Sequence, residues 1–499
     1  MLSSKRIGII ASVLIGAAIA FVVYMLVNPV QTGENHGIVT YENGQSIEFL
    51  DSDYYSDYTS RSYSKIALGD GDVTISSAGV YELSGNLNGS INVDAQGGGV
   101  VELVLNGAHI TADSGSAIYV NQASKTVISL PAGSENTIAD SAVRDDTAVS
   151  GAIYCRDDLV ICGEGALTIN ANFADGVKAN DSLKITGGNI NITAVDEGIN
   201  ANDYLALMGG NIRITSGGHS VKCANDEDSS LGFVVLDGAK LNIESESDGI
   251  QAVGDIYVNK TETAISAADD GVHTEGTLFL NGGSIDITRC TEGFEGKYII
   301  MNDGEYVVVS SDDGLNATGE GSMMPGGFGG RGGMDTNAGE VYMTINGGTL
   351  HAEVGGDGLD ANGAAKINGG FIEVYGPENS GNSTLDFDGG FVINGGTVIA
   401  AGSSSMAESP SDNSGQNTIV LTLSQTYQAG TAFSLVDESG TEIAGGTPSK
   451  CFDWLCISSS DIKTDGIYTL LVNGEKEATV IVSGAVTTVG ERIWGGNFR

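Results

Sequence analysis

Short runs in which apolar and polar residues alternate recur through most of the chain. Residues 175–196 (DGVKANDSLKITGGNINITAVD) contain three such runs, at 177–179, 183–185 and 190–192. Alternation with a period of two is typical of half-buried strands, and the Asn-Asp and Gly-Gly pairs between the runs favour tight corners. Three short strands within one repeat cannot pair properly as hairpins, so we expect each strand to pair with its equivalent one repeat away.

An acidic residue followed by glycine marks each repeat at nearly constant spacing. Successive steps are 22, 22, 29, 22, 22, 21 and 44 residues, which indicates one insertion and, for the longest step, one doubled coil. A fixed period of about 20 residues is typical of a solenoid. The sequence therefore predicts an all-β, three-faced parallel β-helix with about 22 residues per coil, and a sandwich of short hairpins is the alternative. The pairs begin at Asp175, Glu197, Asp248, Asp270, Glu292, Asp313 and Asp357, and His219-Ser220 fills one further slot.

The composition of the chain divides it into six segments. Residues 1–27 include an uninterrupted apolar stretch, 7–27, after Lys5-Arg6, and a bilayer span takes roughly 20 residues. We expect a membrane anchor with its N-terminus in the cytoplasm, or else a cleaved signal peptide, so that the remainder is exported to the cell surface or secreted. The other predicted segments are a polar stalk (28–66), the β-helix (67–402, with a Met/Gly-rich loop at 319–340), a Ser/Pro/Asn linker (403–416), a small β-sandwich-like domain (417–484) and a Gly-rich tail (485–499).

Six cysteines in an exported chain raise the question of disulfides. Cys155 and Cys223 fall at the inward position that alanine occupies in neighbouring coils, so we expect them to be small buried core residues. The sequence leaves the others undecided, with a Cys451–Cys456 bridge as one option; they are Cys162, Cys290, Cys451 and Cys456.

The net charge of −42 excludes nucleic acid and anionic membrane surfaces as direct partners, because both need basic patches on the protein. We expect most of the 64 carboxylates to be solvated. The acids of the glycine pairs differ, because parallel strands hold them about 4.8 Å apart. Two charges at that distance repel by about 3.5 kcal/mol at an effective dielectric of about 20, so we expect them to share a cation.

Calcium suits this geometry, because its oxygen ligands lie about 2.3–2.6 Å from the ion and can come from adjacent coils. Zinc is disfavoured, since the chain has five histidines and no His/Cys cluster at ligand spacing. The alternative is that Asp-Gly pairs are merely favourable corner residues. The predicted calcium ligands are Asp175, Asp196, Glu197, Asp248, Asp269, Asp270, Glu292, Asp312, Asp313 and Asp357.

Several stretches of the sequence resemble one known family. They are VTISSAGVYELSGNLNGSINV, SGAIYCRDDLVICGEGALTI and the repeated DGVKANDSLKITGGNINIT coils. They are similar to the clostridial cell-surface carbohydrate-binding β-helix family, which has a pectate-lyase-like fold without established catalysis. Over residues 49–490, the resemblance implies a right-handed parallel β-helix, bound calcium, and affinity for plant cell-wall polysaccharides, including pectin-type acidic chains and cellulose. His219-Ser220 departs from the acid-glycine pattern and interrupts the expected row of acids.

A second row of residues is predicted on the outer surface of the first strand of each coil. The residue two positions after the glycine points outwards, and the resulting stripe of polar side chains suits an extended polysaccharide. The alternative is that these residues simply face solvent. Because a polyuronate and this protein are both anions, we expect bridging calcium or local lysines to hold the glycan. The predicted carbohydrate-binding residues are Lys178, Asn200, Lys222, Gln251, His273, Glu295, Asn316 and Asp360.

These patterns predict a monomeric, calcium-dependent polysaccharide-binding protein without catalytic residues. A polysaccharide lyase that acts on uronates is the first alternative, since β-elimination needs calcium and a base. For that reaction Lys178 or Lys222 would be the base, beside Asp175, Glu197 and His219. A glycoside hydrolase needs two carboxylates at a defined separation, which the sequence cannot single out among 64 acids. The second alternative is a structural or adhesive surface protein.

Overall fold

The structure is a computed structural model, and it describes residues 37–225, 227–318 and 341–490. The chain forms two compact units, Met1–Asp51 and Ser52–Arg499. In the first unit, β1 (Gly37–Thr40) and β2 (Ser46–Phe49) form an antiparallel hairpin. The predicted anchor at 7–27, the loop at 319–340 and residues 491–499 of the predicted tail lie outside the described residues. Within the described ranges, no helix is long and apolar enough to cross a bilayer.

Strands form almost all of the regular structure in the described residues. The only helical elements there are two 3₁₀ turns, η1 (Asp51–Asp53) and η2 (Tyr58–Ser60), which confirms the predicted all-β class. The first strands after the turns are β3 (Ser64–Asp70), β4 (Val73–Ile75), β5 (Gly79–Asn88), β6 (Ile91–Asp94), β7 (Val100–Thr111), β8 (Ile118–Gln122), β9 (Lys125–Leu130), β10 (Glu135–Ala139), β11 (Ile153–Cys155), β12 (Leu159–Gly163) and β13 (Ala166–Ala171). The next are β14 (Val177–Ala179), β15 (Leu183–Ala194), β16 (Ile199–Ala201), β17 (Tyr204–Ser216), β18 (Val221–Cys223), β19 (Phe233–Ser245), β20 (Ile250–Ala252), β21 (Ile256–Ala267), β22 (Val272–Leu280) and β23 (Ser284–Cys290). They are followed by β24 (Phe294–Met301), β25 (Glu305–Ser310), β26 (Leu315–Ala317), β27 (Val341–Ile345), β28 (Thr349–Glu353), β29 (Leu359–Ala361), β30 (Ala364–Ile367), β31 (Phe371–Tyr375), β32 (Leu385–Phe387), β33 (Phe391–Ile393) and β34 (Thr397–Gly402).

These strands pair in parallel with their equivalents one repeat away, in three series. The first series is β4, β6, β8, β11, β14, β16, β18, β20, β22, β24, β26, β29 and β32. The second is β3, β5, β7, β9, β12, β15, β17, β19, β21, β22, β24, β27, β30 and β33. The third is β5, β7, β10, β13, β15, β17, β19, β21, β23, β25, β28, β31 and β34.

Aliphatic side chains at the inward positions stack from coil to coil and form one continuous core. In the first series Val177, Ile199 and Val221 pair in register and are fully buried. Burying such a side chain contributes about 1.5–3 kcal/mol, and the contribution repeats at every coil. This repeated burial explains why the alternating pattern continues with so few charged residues on the inner side.

The longest step in the repeat is a single coil rather than two. Leu315 in β26 pairs directly with Leu359 in β29, so Asp313 and Asp357 lie on adjacent coils. The predicted doubled coil is therefore wrong, because the extra length lies in the segment between β26 and β27. The 29-residue step does hold an insertion, since β18 and β20 pair directly across the longer connection that precedes β19.

The Gly-Gly pairs mark a corner between the second and third series. In the six pairs at this corner the second glycine has a positive φ, as at Gly188 (107°) and Gly370 (89°), a conformation that glycine adopts without strain. Most of the asparagines before this corner stack in a column, in which each side-chain amide donates to the Oδ1 atom of the previous asparagine over 2.7–3.0 Å. The asparagine column consists of Asn259, Asn281, Asn302, Asn346, Asn368 and Asn394.

Residues 52–61 pack across the outer surface of the second series. Asp53 is fully buried, and its carboxylate accepts hydrogen bonds from Nζ of Lys125 at 2.5 Å and of Lys184 at 2.8 Å. Tyr55 covers a small apolar cluster on the same surface. The predicted polar stalk is therefore wrong from Ser52 onwards, because a buried ion pair fastens this segment to the strands.

The chain after β34 changes to mainly antiparallel pairing. Its strands are β35 (Thr418–Tyr427), β36 (Phe433–Asp437), β37 (Glu442–Gly446), β38 (Phe452–Ser458), β39 (Ile467–Val472), β40 (Glu475–Ile481) and β41 (Val486–Val489). Strand β38 pairs antiparallel with both β34 and β35, while β41 pairs in parallel with β35. The remaining strands form an antiparallel sheet in the order β37-β36-β39-β40. The last strand extends beyond the predicted boundary at residue 484.

All six cysteines are free. Cys155 and Cys223 are fully buried and lie in register with alanines of adjacent coils, which confirms their prediction as core residues. Burial also raises the pKa of the Cys162 thiol to about 12. The Cys451–Cys456 bridge considered from the sequence is not formed, and the cysteines carry no part of the function argued below.

Candidate functional site

The stripe lies on the outer surface of the first series. Each stripe residue is flanked by inward-facing neighbours, and all eight are half-buried because the side chains of adjacent coils lie against one another. The structure therefore brings every predicted carbohydrate-binding residue into one row. In register order the row reads Lys178, Asn200, Lys222, Gln251, His273, Glu295, Asn316 and Asp360.

The same row continues towards the N-terminus through residues that the acid-glycine repeat does not mark. Tyr119 and Tyr154 precede Lys178 in register, and their rings stack with centroids 5.9 Å apart at 27°. The guanidinium carbon of Arg156 lies 5.9 Å from the ring centroid of Tyr119. The sequence pattern missed these residues because Ser116 and Gly151 replace the acid in their coils. The shared runs AIYV and AIYC, at 117–120 and 152–155, could have identified them.

The ladder, as we call the acids of the glycine pairs together with His219, is a second row three residues before the stripe. Glycine follows the acid because adjacent coils approach closely: a Cβ atom at Gly176 would lie 2.5 Å from the carbonyl oxygen of Gly198, and one at Gly249 would lie 2.6 Å from that of Gly271. Neither Gly176 nor Gly249 has a positive φ. The close approach of adjacent coils thus explains why glycine follows the acid, but it does not explain why the preceding residue is acidic.

Ladder aspartates use one carboxylate oxygen to hold the next coil. The backbone N–H of Asp270 donates to Oδ1 of Asp248 at 3.1 Å, and that of Glu292 donates to Oδ1 of Asp270 at 3.1 Å. The N–H of Asp357 donates in the same way to Oδ1 of Asp313 at 2.6 Å. These acids therefore have a structural role, and each keeps a second oxygen for the side chains around it.

In the N-terminal half of the ladder, basic side chains lie beside Glu197 and Asp248, whereas burial, followed by the neighbouring Glu197, raises the pKa of Asp175 to about 7. Nζ of Lys222 lies 2.8 Å from Oε1 of Glu197. Burial opposes the ionisation of Glu197, but the hydrogen bond from Lys222 and those with the neighbouring acids outweigh burial and lower the pKa of Glu197 to about 2. Oδ2 of Asp248 lies 3.2 Å from Nδ1 of His219 and 3.5 Å from Nδ1 of His273. Burial works against the charge of His273, yet the hydrogen bond to Asp248 and the surrounding acids raise its pKa to about 9.

In the C-terminal half, acids occupy the stripe positions as well. Burial, followed by the charges of Asp313 and Asp357, raises the pKa of Asp360 to about 8. Burial also raises the pKa of Asp313 to about 8 and that of Glu295 to about 7. The fully ionised state of this region is therefore unfavourable unless a cation is added.

Among the described residues, ligand atoms of the two rows, together with Asp196, converge into four groups, within each of which they lie within 4.8 Å of one another. An ion with metal–oxygen distances of about 2.3–2.6 Å fits between oxygens at that separation, whereas magnesium at about 2.0–2.1 Å needs a tighter set. One group contains only carboxylates, which suit calcium, and joins both rows: Asp313, Asp357 and Asp360. We call this group the carboxylate cluster. The groups are Asp175, Asp196 and Glu197; Asp248, Asp270 and His273; Asp313, Asp357 and Asp360; and Asp270, Glu292 and Glu295.

The four groups differ from the predicted set of calcium ligands in both directions. Asp269 and Asp312 are exposed and lie in none of the four groups. The stripe residues His273, Glu295 and Asp360 join the groups instead, because the stripe side chain reaches the ladder acid of the preceding coil. At the equivalent position Asn316 shows this contact directly, where its Nδ2 donates to Oε2 of Glu292 at 2.8 Å.

A family model described as carbohydrate-binding domain-containing protein matches residues 69–336 and, in a second match, residues 264–446. The chain belongs to this family. A relative with the same description, from Acetivibrio thermocellus, is 38% identical over 135 residues, or 26% of this chain and 47% of the relative. The chain thus spans about half the length of that curated relative. A solved structure described as the polysaccharide lyase-like protein from C. thermocellum, a gadolinium derivative, is 33% identical with a TM-score of 0.42, and the match covers 43% of this chain and 95% of that chain.

In this carbohydrate-binding domain protein, the two rows offer two kinds of chemistry on one surface. Amide, hydroxyl and ammonium groups of the stripe can hydrogen-bond to sugar hydroxyls and carboxylates along many coils. The carboxylate cluster can hold a divalent cation through its free oxygens. Because Asp360 belongs to the stripe and Asp313 and Asp357 to the ladder, the two functions meet at the same residues.

Proposed function

We propose that this protein binds an acidic polysaccharide along the stripe, with calcium held at the carboxylate cluster. The fold that we propose for the stripe's scaffold is a right-handed, three-faced parallel β-helix. The observation that carries the proposal is the convergence of two ladder acids and one stripe acid at Asp313, Asp357 and Asp360. Membership of the carbohydrate-binding domain family supports a glycan as the ligand.

Calcium bound there would supply positive charge to a surface that is otherwise negative. The chain carries a net charge of −42, so a polyuronate would be repelled by the C-terminal half of the stripe in the absence of a cation. Asp313 and Asp360 would each offer an oxygen to the ion, while Oδ1 of Asp313 keeps its hydrogen bond to the next coil. Pectin-type chains are therefore the ligands that this charge arrangement favours, with cellulose as a weaker ligand.

The remaining parts of the proposal concern where the protein works. We place the described residues outside the cytoplasm, with the apolar segment 7–27 as an anchor or a cleaved signal. We also propose that it acts as a monomer, because the stripe needs no second copy to form a continuous row, and that it binds the glycan without cleaving it.

A second candidate function, β-elimination of uronates, is supported by one observation. Burial lowers the pKa of Lys178, as a general base for this reaction requires. Nζ of Lys178 donates hydrogen bonds to the amide oxygens of Asn200 and Asn202, at 2.9 and 2.5 Å, and forms no ion pair with any described residue. A binding protein and a lyase differ in their products. Only the lyase would create unsaturated ends that absorb near 235 nm.

Affinity gel electrophoresis of the full chain would test the proposal. Gels would contain polygalacturonate or soluble β-glucan, with calcium or with EDTA, and absorbance at 235 nm would be followed in parallel. We expect retardation by polygalacturonate that is stronger with calcium, without a rise in absorbance. No retardation under any condition would contradict polysaccharide binding, and rising absorbance would replace it with lyase activity.

A further inference from the structure

Two basic side chains near the N-terminal end of the stripe have no carboxylate partner. Among the described residues, neither Arg156 nor Lys178 forms an ion pair, although the chain carries 64 acids. The acids that follow Arg156 in the chain have other partners: Asp157 accepts from the N–H of Ala123 at 2.7 Å, and Asp158 accepts from the N–H of Ser182 at 3.3 Å. Near Lys178, Asp175 accepts from the hydroxyl of Ser150 at 2.7 Å. The charges of Arg156 and Lys178 are therefore available to an anionic ligand.

The same two cations border the stacked tyrosines of the stripe. Tyr154 follows Tyr119 in register and Lys178 follows Tyr154, so the three outward side chains occupy adjacent coils. Arg156 is exposed and lies over the Tyr119 ring at 5.9 Å. Asn180 fixes the second ring by donating to the Tyr154 hydroxyl at 3.0 Å.

This arrangement combines the partly exposed ring of Tyr119, amide groups and positive charge, while Tyr154 is only 7% exposed and supports the Tyr119 ring. Aromatic side chains offer a large apolar area, and their hydroxyl groups supply hydrogen bonds. A guanidinium group binds a carboxylate through two parallel hydrogen bonds. A neutral sugar would use the Tyr119 ring and the amides but would leave both cations unpaired, whereas a sugar that carries a carboxylate would use all of these groups.

We infer that Tyr119, Arg156 and Lys178, with Tyr154 supporting the Tyr119 ring, form a subsite that binds uronate residues of the polysaccharide directly, without a metal ion. The inference rests on the proposed function and assigns it a second mode of binding. Because Arg156 lies over Tyr119 and Nζ of Lys178 bonds to Asn200 on the following coil, the two cations bind carboxylates of different sugar residues at this end of the stripe, and calcium binds another at the carboxylate cluster at the other end. Part of the affinity for the acidic glycan therefore survives the removal of calcium.

The test uses affinity gels of the full chain in EDTA at low salt, with polygalacturonate and with its fully methyl-esterified form. Mobility is measured relative to a gel without polysaccharide, so that the change in net charge cancels. The variants are Arg156→Gln, Lys178→Gln and the double variant. The control is Arg213→Gln, which removes the same charge from an exposed arginine paired with Glu244 on the outer surface of the third series.

We expect polygalacturonate to retard wild type and Arg213→Gln in EDTA. Each single substitution at the subsite should weaken binding by about tenfold, because it removes a charge-assisted hydrogen bond. The methyl ester should bind weakly to every variant. Unchanged retardation of the double variant, or equal retardation by the methyl ester, would overturn the subsite. Retardation that requires calcium would overturn it and leave the proposed function intact, whereas no retardation with calcium either would remove the proposed function itself. Circular dichroism and the melting temperature would show that each variant is folded.

Discussion

Replacing Asp360 with asparagine should stabilise the protein without calcium, and calcium should cancel most of that advantage. Without the metal, burial and the charges of Asp313 and Asp357 raise the pKa of Asp360 from its ordinary value of 3.8 to about 8. A carboxyl group whose pKa is higher in the folded state stabilises the fold below its unfolded pKa. That stabilisation is lost as the pH rises from about 4 through about 8.

The size of the effect follows from the pKa difference. Each unit corresponds to about 1.4 kcal/mol, so ionised Asp360 lowers the free energy of unfolding by at most about 5–6 kcal/mol at pH 8 and above. The amide cannot replace every interaction of the carboxyl group, and we expect the substitution to recover about 2–3 kcal/mol. With calcium at a hundred times its dissociation constant, wild type gains about 2.7 kcal/mol, and the variant should lose most of that gain because it lacks a ligand.

Urea denaturation at pH 8, in EDTA and in calcium, would measure both effects. Asp360→Asn should be more stable than wild type by about 2–3 kcal/mol in EDTA, and this advantage should largely disappear in calcium, because only wild type gains about 2.7 kcal/mol from the ion. The matched control is Asp286→Asn, an exposed aspartate on the third series, which should stay within about 0.5 kcal/mol of wild type in both conditions. A variant that is less stable in EDTA, or that responds to calcium as wild type does, would refute the assignment of the carboxylate cluster.

Three further predictions concern the scaffold. Asp53→Ala should lower the free energy of unfolding by about 3–5 kcal/mol, because it leaves two buried lysines without their partner, and exposed Asp57→Ala should lower it by less than about 1 kcal/mol in the same urea titration. Gly249→Ala should lower the free energy of unfolding by about 1–3 kcal/mol, and with it the melting temperature, because the new Cβ atom would lie 2.6 Å from a backbone oxygen. A Cβ atom at Gly69 would meet open space, so Gly69→Ala should change the melting temperature little. In the folded state, iodoacetamide should alkylate partly exposed Cys451 and spare the five buried cysteines, as mass spectrometry would show; uniform labelling would contradict their burial.

The repeat could be predicted from the sequence because coil packing places local demands on each coil. Glycine is required after each ladder acid by the approach of the next coil, and aliphatic residues are required at inward positions such as Val177 and Ile199. These demands act over a few residues, so they leave a regular pattern. The same locality explains why the register of the stripe was predictable from Lys178 to Asp360.

Contacts between distant segments leave no such pattern. Asp53 pairs with lysines 72 and 131 residues away, and nothing in its neighbourhood distinguishes it from the acids around it. The doubled coil was predicted because a long loop and a second coil have the same length. The cation-binding groups were only partly predictable, because the sequence assigned Asp360 to the glycan and Asp357 to the metal, and only the stacking of coils shows that they meet.

The central claim is that calcium and the acidic glycan bind to one shared surface. Isothermal titration calorimetry of the full chain with a short oligogalacturonate, repeated over a range of calcium concentrations, tests it most directly. Binding at a shared surface requires reciprocal coupling, so we expect calcium to raise the affinity of wild type for the oligomer by at least about tenfold and to leave that of Asp360→Asn nearly unchanged. An affinity that does not depend on calcium in wild type, or an equal increase in the variant, would contradict the claim.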